Sequence, residues 1–320
     1  MKGLTDIPGI FVGHHTDLDA LTGCTAILCP GGAIAGCDVR GSATGTEELE
    51  VLSPFHVTDR IHGVCLAGGS AFGLEAVAGV RRFLEKKGIG YRTSAARVPL
   101  VSGAILYDLA LGRADVRPTI QTGESAALAA TGDPVAEGAV GAGTGATVGK
   151  YFGMARAMKS GVGSATVALT GTLSGLMVSA LAAVNAFGDV RDPESGRIIA
   201  GARVRPDSLD FAPTDQAMLA GDMPPRIGEN TTLAVVATNA RLTKVQASKL
   251  AQLAAAGVAR VVSPVWTTVD GDVVIALSIG ETRAPLDALG AAGAAALSQA
   301  IVRAVRLAPT LGGLPGLARP

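Results

Sequence analysis

The last ninety residues constrain the fold most. Thr231-Thr232-Leu233-Ala234-Val235-Val236-Ala237-Thr238 is an unbroken run with the length and β-branched content of a strand. Residues 243–257 (TKVQASKLAQLAAAG) then read as a helix, 259–266 as strand-like, 272–278 as a hairpin strand and 285–307 as a long Ala-rich helix. Strands and helices in such succession bury their apolar faces by stacking in layers, which places the chain in the α/β class. The apolar residues are small. Hydrophobic residues make up 48% of the chain but aromatics only 3%, and there are 43 Gly. Backbones can therefore approach closely, as in mixed sheets covered by helices within one domain.

The first two thirds add further elements. Residues 9–14 and 23–41 read as strands, the second turned into a hairpin at Gly31-Gly32. Residues 62–69 read as a buried strand, and 70–88 as a helix with Ser70 as N-cap and Gly88 as its stop. Residues 96–109 are a strand entering irregular chain, and 122–132 a short helix. Residues 160–169 and 172–190 pair as antiparallel strands around Thr170-Gly171, although periodicity alone leaves a helix open for the second. From Gly201 to Asn230 the chain is polar and Pro-bearing, a surface segment with one short helix near TDQAMLAG.

Charge and motifs exclude several functions. The formal net charge is +0 and the basic residues are scattered, so no nucleic-acid groove is expected. Cys24, Cys29, Cys37 and Cys65 fit no zinc spacing and read as buried free thiols. MKGLTDIPGIFVGHHTD lacks the apolar core of a signal peptide, and no uninterrupted apolar run approaches the ~18 residues of a membrane span. The expected setting is soluble and cytoplasmic, without a membrane partner. GAVGAGTGATVGK (138–150) imitates a phosphate cradle, but Tyr151 stands where a P-loop needs Ser or Thr. No acidic residue occurs in 157–187 to complete a dinucleotide fingerprint. GGSAFG (68–73) imitates a serine elbow but carries Phe72 in place of its last Gly. His14, His15, His56 and His62 all precede residue 63, and none has zinc-ligand spacing.

What, then, could activate a nucleophile? The polar run Pro224-Pro225-Arg226-Ile227-Gly228-Glu229-Asn230 meets the apolar strand abruptly at Thr231. By residue type alone this is a turn entering a strand. A second reading is a cut between Asn230 and Thr231. It would free an α-amino group with a pKa of about 7.7–8.0, a base carried by the nucleophile's own residue.

The segments GCTAILCPGGAIAGCDVRG, LAGGSAFGLEA, LAAVNAFGDV and ENTTLAVVATNARLTKVQASKLA together resemble the DmpA-like L-aminopeptidase/D-esterase-amidase family, which includes β-aminopeptidases and nylon-oligomer hydrolases. The resemblance runs from Leu4 to the last helix. It implies an αββα sandwich of two central mixed sheets, similar in plan to N-terminal-nucleophile hydrolases. It also implies self-cleavage into an α chain (1–230) and a β chain (231–320), and a homotetramer of such pairs. Thr231 matches the nucleophile; many members have Ser there, and the Asn-Thr-Thr form is most similar to the nylon-oligomer hydrolase branch. Asp270 and Asp272 match that branch's acidic pair, which would hold the Thr231 hydroxyl and amine. Without the resemblance, the favoured reading is a hairpin turn with ordinary solvated Asp residues. Asn185 matches an oxyanion-hole amide, Tyr107 a phenol at the nucleophile pocket and Lys150 a site lysine. No metal or cofactor is implied. The implied activity is hydrolysis, through an acyl-enzyme, of small-molecule amides or peptides next to a free amino terminus, nylon-type oligoamides included. The alternatives are an acyltransferase of the ornithine acetyltransferase type and an unprocessed binding protein of the same fold.

Overall fold

The computed structural model describes residues 1–221 and 229–319. Among them, nine strands join one hydrogen-bonded path. They are β1 (Phe11–Asp17), β2 (Thr22–Val39), β3 (Thr46–Glu47), β4 (Arg60–Ala67), β5 (Val101–Ile105), β6 (Val162–Ala168), β7 (Met177–Asn185), β8 (Thr231–Ala240) and β9 (Val273–Thr282). The order is β6-β7-β8-β9-β2-β4-β5-β3, with β1 also on β2. The pairs β8–β9 and β4–β5 are parallel and the others antiparallel. Five helices accompany them: α1 (Glu75–Lys86), α2 (Ile120–Leu128), α3 (Thr214–Leu219), α4 (Lys244–Ala259) and α5 (Leu286–Arg306).

The path folds back on itself, and three buried cores separate four layers. Alternation along each strand decides which core a side chain enters. In β8, Ala234 and Val236 face Leu250, Ala254, Leu297 and Ile301 of α4 and α5. Leu233, Val235 and Ala237 face the other way and meet Ile27, Ile61, Val64 and Leu66 of the second sheet layer. The far side of that layer, through Cys24, Ala26, Cys65 and Ala67, packs on Val77, Val80 and Leu84 of α1 and Ala126 and Ala127 of α2. The result is the expected αββα sandwich. Small residues permit the close layering: a Cβ on Gly257 would lie 2.2 Å from the Ala294 carbonyl oxygen of α5, and one on Gly163 would lie 2.1 Å from that of Ala300. α5 is long and apolar enough to cross a membrane by length and composition, yet 72% of that stretch is buried in the sandwich.

Several local expectations are corrected. Residues 23–41 form no hairpin; β2 is one 18-residue strand. Its first half pairs with β1 and its second half, on the same flank, with β9, so it carries the path from one layer to the other. Gly32, at φ +81°, sits inside a register shift between Leu28 and Ala33 against β4, a bulge instead of a turn. Ser70 does not cap α1. It lies in a 3-10 turn, Ser70–Leu74, at φ +54° and without a capping side-chain bond. Its N–H is satisfied by the Leu106 carbonyl, and that of Gly69 by Asp108. Strand 272–278 is no hairpin arm either: β9 lies parallel to β8, with α4 as the crossover. Of 259–266 only Val262–Ser263 is strand.

Other expectations hold. The helices expected over 122–132 and 243–257 are α2 and α4; their capping boxes at Thr119 and Thr243 are features the structure adds. Residues 172–190 give the strand β7, not a helix. α3 is the short helix foreseen at TDQAMLAG. All four cysteines are free, and only Cys37 is incompletely buried. The loop foreseen over 224–228 lies outside the described residues.

Candidate active site

Three strand ends meet at one place. β7 and β8 are antiparallel, so the last residue of β7, Asn185, stands opposite the first of β8, Thr231. β8 and β9 are parallel, so the residues leading into β9 flank the same point, and Asn230 bridges to Asp270. Alternation puts the Thr231 and Asn185 side chains on the face of the inter-sheet core, at its rim. Thr231 is 4% exposed and Asn185 is 0% exposed, so any chemistry here runs with little bulk water.

The Thr231 hydroxyl lies 2.6 Å from the carbonyl oxygen of its own preceding residue, Asn230. That carbonyl also accepts the Gly271 N–H at 2.7 Å. Gly271 has to be glycine, because a Cβ there would lie 2.8 Å from the Thr231 hydroxyl and 2.7 Å from the Ala43 carbonyl oxygen. Asn185 is held at every polar atom. Its Oδ1 accepts from the Thr147 N–H at 3.0 Å and the Thr147 hydroxyl at 3.3 Å. Its Nδ2 donates to the Tyr107 carbonyl at 2.9 Å and the Glu229 carbonyl at 3.1 Å. The partners on each side decide the amide's orientation without ambiguity.

Lys150 Nζ donates to the carbonyls of Asn185 at 2.9 Å and Glu229 at 3.0 Å. Burial pulls its pKa down to about 7, against the upward pull of Asp270, Glu229, Asp272 and Asp108. Asp270 and Asp272 are buried at 2% and 4% exposure. Burial, reinforced by the charge of Asp270, pushes Asp272 up to about 8; burial also raises Asp270, against its bonds from Thr267 and the charge of Lys150. Their hydrogen bonds differ from the expectation that they hold Thr231. Asp272 accepts the Thr232 N–H, and Asp270 accepts the Thr267 N–H at 2.8 Å and its hydroxyl at 2.6 Å. The Tyr107 phenol is raised by burial and by the Glu229 carboxylate beside it. With the chain uncut, Tyr107, Thr147, Lys150 and Glu229 line a space of about 10 Å³, enough for about one water.

All six residues named from the sequence thus gather around the Asn230–Thr231 bond. Thr147, Gly271, Thr267 and Glu229 were missed as participants. Gly271 lies inside the Asp-Gly-Asp run, and Glu229 inside the loop before the joint. Thr147 and Lys150 both belong to the Gly-rich run 138–150. Its glycines serve close backbone packing: a Cβ on Gly143 would lie 2.4 Å from the Gly161 carbonyl carbon, and one on Gly145 would lie 2.2 Å from the Leu21 carbonyl oxygen.

An αββα sandwich with a buried hydroxyl residue opening a central strand belongs to the N-terminal-nucleophile-hydrolase type of fold. The solved L-aminopeptidase D-Ala-esterase/amidase of Ochrobactrum anthropi, described as a new variant of that fold, superimposes with a TM-score of 0.74 at 21% identity, covering 99% of this chain and 91% of its own. A Burkholderia β-aminopeptidase superimposes with a TM-score of 0.69 at 23% identity, covering 99% and 91%. Residues 2–318 match the model of peptidase family S58. An uncharacterized aminopeptidase of Mycobacterium bovis is 36% identical over 98% of this chain and 96% of its own. A 6-aminohexanoate-oligomer endohydrolase of Kocuria is 32% identical over 88% and 76%. The chain belongs to peptidase family S58, the family its motifs resemble, and is a hydrolase.

Proposed function

We propose that the chain cuts itself between Asn230 and Thr231, and that the freed Thr231 is the nucleophile of an amidohydrolase or aminopeptidase. The observation that carries this reading is the Thr231 hydroxyl poised at the Asn230 carbonyl, which the Gly271 N–H polarises. The Thr231 oxygen attacks the Asn230 carbonyl carbon, and the Gly271 N–H stabilises the charge gathering on oxygen. The C–N bond breaks, and the Thr231 nitrogen keeps the electron pair and takes the hydroxyl proton. Water then hydrolyses the resulting ester to an Asn230 carboxylate and a free threonine.

After departure of the 229–230 tail, the Asn185 Nδ2 and Lys150 Nζ lose the Glu229 carbonyl and become donors for a substrate carbonyl. The Thr231 amine takes the hydroxyl proton, and Thr231 is acylated as the amide C–N bond breaks. That proton passes to the leaving amine, and water releases the acid. Asp270 and Asp272 tune the proton affinity of Lys150 and the new amine. Small amides or peptides with a free amino terminus are the substrate class, with nylon-type oligoamides among them by similarity to the Kocuria hydrolase. A tetramer of cleaved protomers is the assembly.

The test is an intact mass spectrum under denaturing conditions beside Thr231→Ala. Two fragments of roughly 23 and 9 kDa are expected from the 31.9 kDa chain, and one uncut species from the variant. A single full-mass species in the parent after long incubation would refute the proposal.

A further inference from the structure

Lys159 is completely buried at 0% exposure and, among the described residues, no acidic side chain hydrogen-bonds it. Its Nζ donates to three main-chain carbonyls: Gly143 at 3.2 Å, Ala146 at 2.8 Å and Ser160 at 2.5 Å. Gly143 and Ala146 belong to the turn that delivers Thr147, whose N–H and hydroxyl hold Asn185 Oδ1. Asp108, buried at 5% exposure, anchors the opposite side. It accepts the Gly69 N–H at 2.7 Å and the Thr22 hydroxyl at 2.8 Å. The carbonyl of its neighbour Tyr107 takes the Asn185 Nδ2 hydrogen bond. Burial raises Asp108 to about 6 and lowers Lys159 to about 7, each partly opposed by the charge of the other.

We infer that Lys159 and Asp108 are positioning residues that together aim the Asn185 carboxamide, one through Thr147 and the other through Tyr107. This rests on the role proposed for Asn185 in the cleavage chemistry. Neither residue touches the scissile bond. Each ties down a backbone segment, and each segment holds one end of the amide. The glycines of the 141–146 turn give it freedom that an unbonded backbone would use. A buried ammonium bonded to three carbonyls removes that freedom.

The test uses self-cleavage, because the substrate is then built into the chain. The Asn185 Nδ2 holds the Glu229 carbonyl, so a misaimed amide misplaces the scissile segment. Lys159→Met is expected to slow conversion of precursor to fragments by about tenfold or more, and Asn185→Ala by a similar factor. The double variant should be no slower than Asn185→Ala alone, because a residue acting through Asn185 has nothing left to aim. A purely structural lysine would slow both backgrounds equally, and that additivity would overturn the inference. Should Lys159→Met fail to fold, the near-isosteric Asp108→Asn goes through the same cycle: no added slowing on Asn185→Ala is expected, and additivity would overturn the inference.

A second measurement does not depend on cleavage. In the Thr231→Ala precursor, the Asn185 side-chain NH₂ signals, assigned by their loss in Asn185→Ala, should shift and exchange faster with Lys159→Met or Asp108→Asn. Unmoved signals would overturn the inference. A parent that never cleaves would refute the proposed function, while the NMR result would still decide this point.

Discussion

Replacing Gly271 by alanine is the sharpest perturbation the geometry offers. The added carbon would lie 2.8 Å from the Thr231 hydroxyl oxygen and 2.7 Å from the Ala43 carbonyl oxygen, against 3.4 Å for ordinary contact. Something must therefore move by about 0.6 Å. The Ala43 carbonyl is backbone, in a segment tied by the Ala43 N–H to the Asp270 carbonyl at 2.9 Å, so it yields little. The movement falls on the Thr231 side chain and on Gly271 itself, whose N–H holds the Asn230 carbonyl at 2.7 Å. Nucleophile and oxyanion donor are displaced together. A displacement of 1 Å costs on the order of a hundredfold in rate, so 0.6 Å costs about tenfold, and a weakened oxyanion bond adds to it. The strain should also lower stability by about 1–3 kcal/mol. The assay is a time course of precursor conversion on a denaturing gel, with a thermal melt on each protein. Gly31→Ala is the control, because an added carbon there meets nothing within 4 Å. A Gly271→Ala precursor that matures at the parental rate would refute the assignment of Gly271 and the attack geometry built on it.

Two further outcomes follow from burial. Asp272 is pushed up to about 8, whereas an unfolded aspartate titrates near 3.9. Between these values the native chain binds a proton that the unfolded chain has released, so this group makes stability fall as pH rises from about 4 to about 8, by at most about 1.4 kcal/mol per pH unit. Asp272→Asn in the uncut Thr231→Ala background should flatten that slope in thermal melts, and an unchanged slope would contradict the burial argument. Burial also pushes Cys29 up to about 12 and Cys37 up to about 11. A thiol reagent at pH 8 should label the native protein slowly, Cys37 first, and all four thiols at once in denaturant; fast native labelling of Cys29 would contradict the packing.

What could be read along the chain was local. The period of apolar residues distinguishes β8 and β9 from α4 and α5, because alternation and helical spacing are properties of neighbouring residues. The capping boxes at Thr119 and Thr243 are local too, with partners three residues away, although the sequence alone shows only the helices themselves. The abrupt change at Asn230–Thr231 needed no distant contact to be noticed, and the family motifs supplied the other site residues by resemblance. What had to wait for tertiary structure was every choice of partner. Gly31-Gly32 looks like a hairpin turn, but β1 and β9 take successive halves of the same flank of β2, and the glycines become a bulge. Ser70 looks like a cap, but it sits at φ +54° in a 3-10 turn that precedes the helix, and its side chain caps no N–H. Residues 270–272 reach Thr231 only because β9 pairs parallel to β8 across a helical crossover. Asn185 reaches it only because β7 runs the other way. Lys159 and Asp108 carry no signal in the sequence, since their partners are backbone carbonyls, N–H groups and hydroxyls brought close by the fold. Secondary structure follows from neighbours within a few residues, whereas strand pairing, and with it the convergence of these ends into one site, is settled by burial across the whole chain.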